Sequence, residues 1–212
     1  VDGIAPDAFG RTRVSELFTL GDYKHLYAID QNFINSTGNG GTVTYETNKA
    51  SANLAVTSTA SSYAIHQTKS YHHYQPGKSQ IIFSSMCFGY PQRNITKRTG
   101  YFDDRDGIYF EQVGSDTADG TSDAVGTQTL NFVIRSYTSG SADESTINTT
   151  VNGQAYTYKR RVPQSEWNRD KCDGTGASGF KIDLSKTQLV YIDFQWLGVG
   201  RVRVGFVHDG KV

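Results

Sequence analysis

The chain reads as an all-β protein, an antiparallel β-sandwich of jelly-roll type with an extended N-terminal arm, and three features support that reading. Its 212 residues include 13 Tyr, 11 Phe and 22 Gly in a Thr/Ser/Asn-rich background with a single Met, a mixture that suits pleated strands and turns better than helices. Apolar and polar residues alternate with period two through most of the length, which puts successive side chains on opposite faces of a strand. Gly/Ser/Thr/Asp-rich breaks punctuate these runs at the spacing of a sandwich with roughly ten short strands. A chain this long buries about 70 % of its unfolded surface, so it needs neither a disulfide nor a metal to hold a core. The expected layout is an arm over residues 1–20 and a single sandwich domain over residues 21–212.

The opening stretch Val1–Leu20 mixes Gly, Pro and the charged Asp7, Arg11 and Arg13 with Phe9, Val14 and Phe18, without a sustained period. Two readings fit it. It is a frayed or irregular first strand, or an arm on a neighbouring subunit, anchored by Phe9 and Phe18 and clamped by Arg11 and Arg13. Strand patterns follow at Thr42–Thr47 and at Ser62–Tyr74, where Tyr63, Ile65 and Tyr71 oppose Ala64, His66 and His72. Ser79–Phe88 is apolar on both faces, the pattern of a central strand covered on both sides. Thr129–Tyr137 points Leu130, Phe132 and Ile134 inward; Tyr156 with Tyr158, and Phe180, Ile182 and Leu184, alternate likewise. The clearest element is a hairpin: Val190, Ile192, Phe194 and Trp196 form a dry face opposite Asp193 and Gln195, and Val202, Val204 and Phe206 oppose Arg201 and Arg203. The breaks fall at Asn35–Gly41, Ser115–Gly126, Thr138–Thr146 and Asp173–Gly179. One helical turn is expected in Pro163–Asp170, with Ser165 as its cap. The chain stops just beyond the turn signal Asp209-Gly210, where a further strand would be expected.

Charge and hydropathy exclude several classes. Lys and Arg number 21 against 21 Asp and Glu, so no broad basic field exists for nucleic-acid binding, which depends on clustered positive charge. The local run Lys159-Arg160-Arg161 reads as the solvated face of a strand. No apolar run reaches the roughly 18 residues of a membrane-spanning helix, and no charged-then-apolar leader opens the chain. Cys87 and Cys172 form no CxxC pair; Cys87, in an apolar strand, reads as a buried free thiol made in a reducing compartment.

Each catalytic or cofactor motif fails at a required position. Gly77-Lys78-Ser79 would need a Gly at 72, where His72 stands, to close a phosphate loop; Gln75-Pro76-Gly77-Lys78 is a turn. Gly198-Val199-Gly200 lacks the third Gly of a dinucleotide fingerprint because position 203 is Arg. No Gly-x-Ser-x-Gly elbow occurs. His66 and His72 share a strand face while His73 points away, so three metal ligands do not converge from that strand; an aromatic, hydrogen-bonding surface explains them with the neighbouring tyrosines. Asp103, Asp104, Asp106 and Glu111 match a calcium loop only over Asp104-x-Asp106-Gly107, and a hairpin turn between Tyr101-Phe102 and Ile108–Phe110 accounts for them. The expectation is therefore a protein without catalytic residues, cofactor or metal, with a weak calcium site near Asp104 and Asp106 as the surviving alternative.

Several segments resemble a family of structural proteins of tailed phages and large viruses. They are Asp7-Ala8-Phe9-Gly10-Arg11-Thr12-Arg13-Val14-Ser15, Tyr74-Gln75-Pro76-Gly77-Lys78-Ser79-Gln80, Gly100-Tyr101-Phe102 with Asp106-Gly107, Trp167-Asn168, Asp173-Gly174-Thr175-Gly176, and Ile192–Lys211 with its core Trp196-Leu197-Gly198-Val199-Gly200-Arg201-Val202-Arg203. The resemblance spans most of the chain and departs at Gly21, where a bulkier apolar residue is expected. It implies a virion component, capsid-associated, decoration or tail/fibre, that self-associates and binds other virion proteins, and it supplies no catalytic residues. The competing reading is a carbohydrate-binding sandwich that recognises a glycan receptor through Tyr71, Tyr74, Tyr90 or Trp167. A glycan-degrading enzyme using the Asp103–Glu111 region stands behind both.

Overall fold

A computed structural model of the chain describes residues 18–72, 79–115, 128–194 and 202–210. Every strand pairing is antiparallel, and the one helical element among the described residues is a single 3-10 turn, so the all-β reading stands. The chain packs as two compact units, residues 1–75 and 76–212. The first four strands pair among themselves and the remaining nine among themselves, which gives each unit its own hydrogen-bonded framework.

In the first unit, β1 (Phe33–Gly38) pairs with β4 (Tyr63–Thr68), and β2 (Thr42–Glu46) pairs with β3 (Ser51–Ala55). The turn from β1 to β2 places Asn39 at φ 50° and Gly40 at φ 85°, with the Gly41 amide donating to the Gly38 carbonyl at 3.0 Å. Two successive left-handed residues are the signature of the tight turn whose twist matches paired strands. The break expected at Asn35–Gly41 is thus strand as far as Gly38. Asn35, Ser36 and Thr37 are exposed, so burial imposes no apolar period on them, and pairing with β4 defines the strand instead.

The second unit is a two-layer sandwich. Its four-stranded sheet runs β11-β8-β7-β6, from β6 (Thr96–Phe102), β7 (Gly107–Gly114), β8 (Gln128–Arg135) and β11 (Arg161–Pro163). The three-stranded sheet runs β13-β12-β5, from β5 (Gln80–Met86), β12 (Gln188–Phe194) and β13 (Val202–Phe206). A separate hairpin, β9 (Ile147–Val151) with β10 (Gln154–Tyr158), lies between β8 and β11 in sequence. Phe110, Leu130 and Phe132 from one sheet meet Val190 and Phe206 from the other, with Leu184 between. Phe110 sits edge-on to Phe206 at 5.0 Å and tilted to Phe132 at 5.2 Å. Each such buried side chain contributes about 1.5–3 kcal/mol through apolar area removed from water. Strands β6, β7 and β8 follow one another in one sheet, and this order does not establish the connectivity of a jelly roll.

Several elements differ from their sequence reading. β5 is an edge strand with Phe83 exposed, not a central one. Leu130 and Phe132 are buried as expected, whereas Ile134 is exposed near the end of β8. Val190, Ile192, Phe194 and Phe206 form the dry face predicted for the hairpin β12–β13, whereas Val202 is exposed; on the other face Asp193 is fully buried and pairs with Arg203 directly opposite at 3.0 Å. Trp196 lies outside the described residues. Phe180 and Ile182 pack against the core from a loop rather than a strand. The helical turn spans Gln164–Glu166 and contains Ser165 instead of being capped by it. Cys87 is free but exposed, its thiol directed at the Ser185 carbonyl at 3.3 Å just past the end of β5.

Candidate functional site

The hairpin β9–β10 stands out because both its strands are exposed at each position. Its turn, Asn152 at φ 50° and Gly153 at φ 78°, is again the tight type that matches strand twist. The register Tyr158↔Ile147, Tyr156↔Thr149 and Gln154↔Val151 puts Ile147, Val151, Tyr156 and Tyr158 on one face. These four are between 38 % and 54 % exposed, with the tyrosine rings stacked at 6.3 Å. The opposite face is polar, with Thr157 donating to Asn148 at 3.0 Å. From Ser145 to Tyr158 there is no Asp, Glu, Lys or Arg. Sheet edges are commonly protected by charge; both outer edges here lack that protection.

A dense ionic base fixes the point where this hairpin leaves the sandwich. Ser136 and Asp143 exchange backbone bonds at 3.0 and 2.9 Å, and the Ile134 amide donates to the Arg160 carbonyl at 2.8 Å. Arg160 pairs with Asp143, and Arg161 pairs with both Glu111 and Glu144. Arg98 adds a second bond to Glu111 at 2.8 Å, Arg135 one to Glu144 at 2.8 Å, and the Tyr109 hydroxyl donates to Glu144 at 2.5 Å. Glu111, Tyr109 and Val133 are fully buried on this outer side of the four-stranded sheet. Alternation places them opposite Phe110 and Phe132, so β7 and β8 are covered on both faces.

The electrostatics follow from this enclosure. Burial and the bond to Glu144 push the Tyr109 phenol up to about 12. Burial alone would raise the Glu144 carboxyl, but the bonds from Tyr109 and Arg135 outweigh it and hold the group below its ordinary value. Asp143 is lowered by bonds from Ser145. Both carboxylates thus remain charged and locked near neutrality. The arrangement is a clamp of opposite charges.

The expected site residues fall as follows. Phe18 opens the described residues and is 79 % exposed; Phe9, Arg11 and Arg13 lie outside them. Of Lys159-Arg160-Arg161, Lys159 is on the solvated surface, paired with the exposed Glu166 at 2.6 Å, whereas the two arginines are half-buried and join the base. Asp103 forms the expected turn, accepting the Arg105 and Asp106 amides at 2.8 Å each, while Glu111 belongs to the clamp. Trp167 is no sugar platform: its indole packs on Phe110, Phe132 and Phe206 and donates to the Val162 carbonyl at 3.2 Å. Tyr71 and Tyr90 are exposed; Tyr74 is outside the described residues. Tyr90 lines a concavity of about 190 Å³ with Gln128, Lys181 and Asp183 among others, its backbone held by Lys97 at 2.8 Å. His66 and His72 do join an aromatic, hydrogen-bonded cluster, with Tyr23, His25 and Phe33.

The hairpin and its clamp escaped the sequence reading, although a signal was present. A charge-free run bounded by Asp143-Glu144 on one side and Lys159-Arg160-Arg161 on the other marks a loop closed by opposite charges at its base. The chain matches no protein-family model, no curated protein and no solved structure.

Proposed function

We propose that this protein is a non-enzymatic structural component of a virus or bacteriophage particle, residing in the virion and acting by self-association and by binding other virion proteins. The observation that carries the proposal is the anchored hairpin. An isolated two-stranded hairpin is marginal in water, yet here a buried ionic clamp fixes its base and leaves its apolar face and both edges available. A neutral, self-complementary face meets no like-charge repulsion when it docks on another copy. The resemblance of several sequence segments to structural proteins of tailed phages and large viruses favours the same reading, with Phe9, Arg11, Arg13 and Phe18 as a second contact.

Sedimentation of the full chain against a Val151→Ser/Tyr156→Ser/Tyr158→Ser variant tests it. The native chain should form a defined oligomer, and the variant should shift to monomer with its circular dichroism unchanged. Equal masses at matched concentration would count against the hairpin as a contact. The second reading, a carbohydrate-binding module, has one observation in its favour: Tyr90 borders a polar concavity with Gln128 and Asp183. Sugar binding by a monomer on a glycan array would favour it.

A further inference from the structure

The first unit contains a chain of imidazole hydrogen bonds whose direction is fixed by the backbone. The Asp30 amide lies 3.1 Å from His25 Nδ1. A backbone amide only donates, so Nδ1 carries the lone pair and a neutral His25 bears its proton on Nε2. That proton faces His66 Nε2 at 3.3 Å, which must therefore be the acceptor. His66 in turn bears its proton on Nδ1 and donates to Asn35 Oδ1 at 2.7 Å. Rotating the Asn35 amide would put a donor against Nδ1 and force the His66 proton onto Nε2, against the proton of His25. One amide thus sets both tautomers.

We propose that His25 and His66 form an acid-sensitive latch, holding segment 23–30 on the β1–β4 ladder while His66 is neutral and releasing it when His66 is protonated. The chain has no room for another proton. On His66 it would face the Nε2–H of His25, which breaks the bond holding the segment to β4. The rings are packed as well as bonded: His66 stacks on Phe33 at 4.1 Å, and His25 lies against Phe33 at 5.1 Å. The neighbouring attachment also uses a histidine, Tyr23 Oη with His72 Nε2 at 2.9 Å. The bond from the Tyr45 hydroxyl to the Leu26 carbonyl, 2.8 Å, contains no group that gains a proton in this range.

The electrostatics agree in sign. Burial first, and then the charge of His25, push His66 down to about 4, while Asp30 pulls weakly the other way. Asp30 is itself held below the usual carboxylate range by bonds led by the Asn32 amide, so it is charged throughout and does not change the direction. Lys24 beside it is paired with Asp22 at 2.6 Å. The released state binds the proton more readily than the latched one. The latch is therefore complete above the ordinary histidine value of about 6.5 and is lost as pH falls from there toward about 4. A metal ion between the rings would need lone pairs on both Nε2 atoms, which the Asp30 amide denies to neutral His25. Among the described residues no group of three metal-binding side chains occurs either.

Nitrogen-15 NMR on the full chain at about pH 7.5, above the histidine range, should find the proton of His25 on Nε2 and that of His66 on Nδ1; the reverse tautomers would overturn the proposal. Hydrogen exchange corrected for intrinsic rate should then accelerate about tenfold or more over segment 23–33 on acidification through the window, while β7 and β8 stay protected. Unchanged protection would refute the latch. His66→Gln cannot titrate and should abolish the pH dependence; a transition that persists in this variant would place the switch elsewhere. Stoichiometric zinc binding by the native chain, lost in His66→Gln, would make the pair a metal site and overturn the assignment.

Discussion

Glu111 exposes 1 % of its side chain, whereas its partners Arg98 and Arg161 each keep 37 %, and this asymmetry determines which loss is tolerated least. An arginine stripped of its carboxylate can turn to water; the carboxylate cannot. Arg161→Met leaves Glu111 with Arg98 and Asn131 alone and removes one of the bonds to Glu144. Removing one partner of a buried pair costs about 3–5 kcal/mol, and the lower end applies because Arg98 remains. Urea unfolding should read this loss, and a midpoint within error of the native chain would show that the clamp contributes nothing to stability. Tyr109 gives the pH counterpart. Its phenol ionises near about 10 when unfolded and at about 12 when folded, so the folded state keeps the proton between these values. Stability is then complete below about 10 and falls as pH rises toward about 12. Tyr109→Phe should flatten that alkaline slope and cost about 1.5–3 kcal/mol at neutral pH, the range for a hydrogen bond to a charged group.

At the scale of the element, strands were legible where apolar side chains alternate with more polar ones in the sequence, even where both faces are enclosed. β12 shows Val190, Ile192 and Phe194 in strict alternation, and the period names the core face directly. Alternation fails in two opposite situations. β7 buries Tyr109, Phe110, Glu111 and Gln112 in succession, because the clamp covers what would otherwise be its solvent face. β1 is mostly exposed, so nothing selects apolar residues at either parity. The role of Arg160 and Arg161 was hidden for a related reason: their partners Glu111, Asp143 and Glu144 come from β7 and a turn earlier in the chain, and only folding brings them together. The β9–β10 turn offers a test of independence. Gly153 sits at φ 78°, where a side chain costs about 1–2 kcal/mol. Gly153→Val should therefore accelerate hydrogen exchange in β9 and β10 without moving the main melting transition. A matching drop in melting temperature would mean the hairpin belongs to the cooperative core.

For the molecule as a whole, the sandwich core and the hairpin have separate tasks. Phe110 touches Phe88, Phe132, Trp167 and Phe206, tying both layers together; Phe110→Ala should cost about 3–5 kcal/mol, the range for emptying a large aromatic site. The clamp then carries that rigidity outward to a face that is exposed among the described residues. The central claim is that this face is completed by another molecule, and hydrogen exchange over residues 147–158 tests it most directly, comparing dilute protein with the assembled form. The account predicts fast exchange in the monomer and protection on assembly, confined to β9, β10 and their immediate contacts. Equal exchange in both forms would contradict it, because the hairpin would then remain open to water in the very assembly it is said to build.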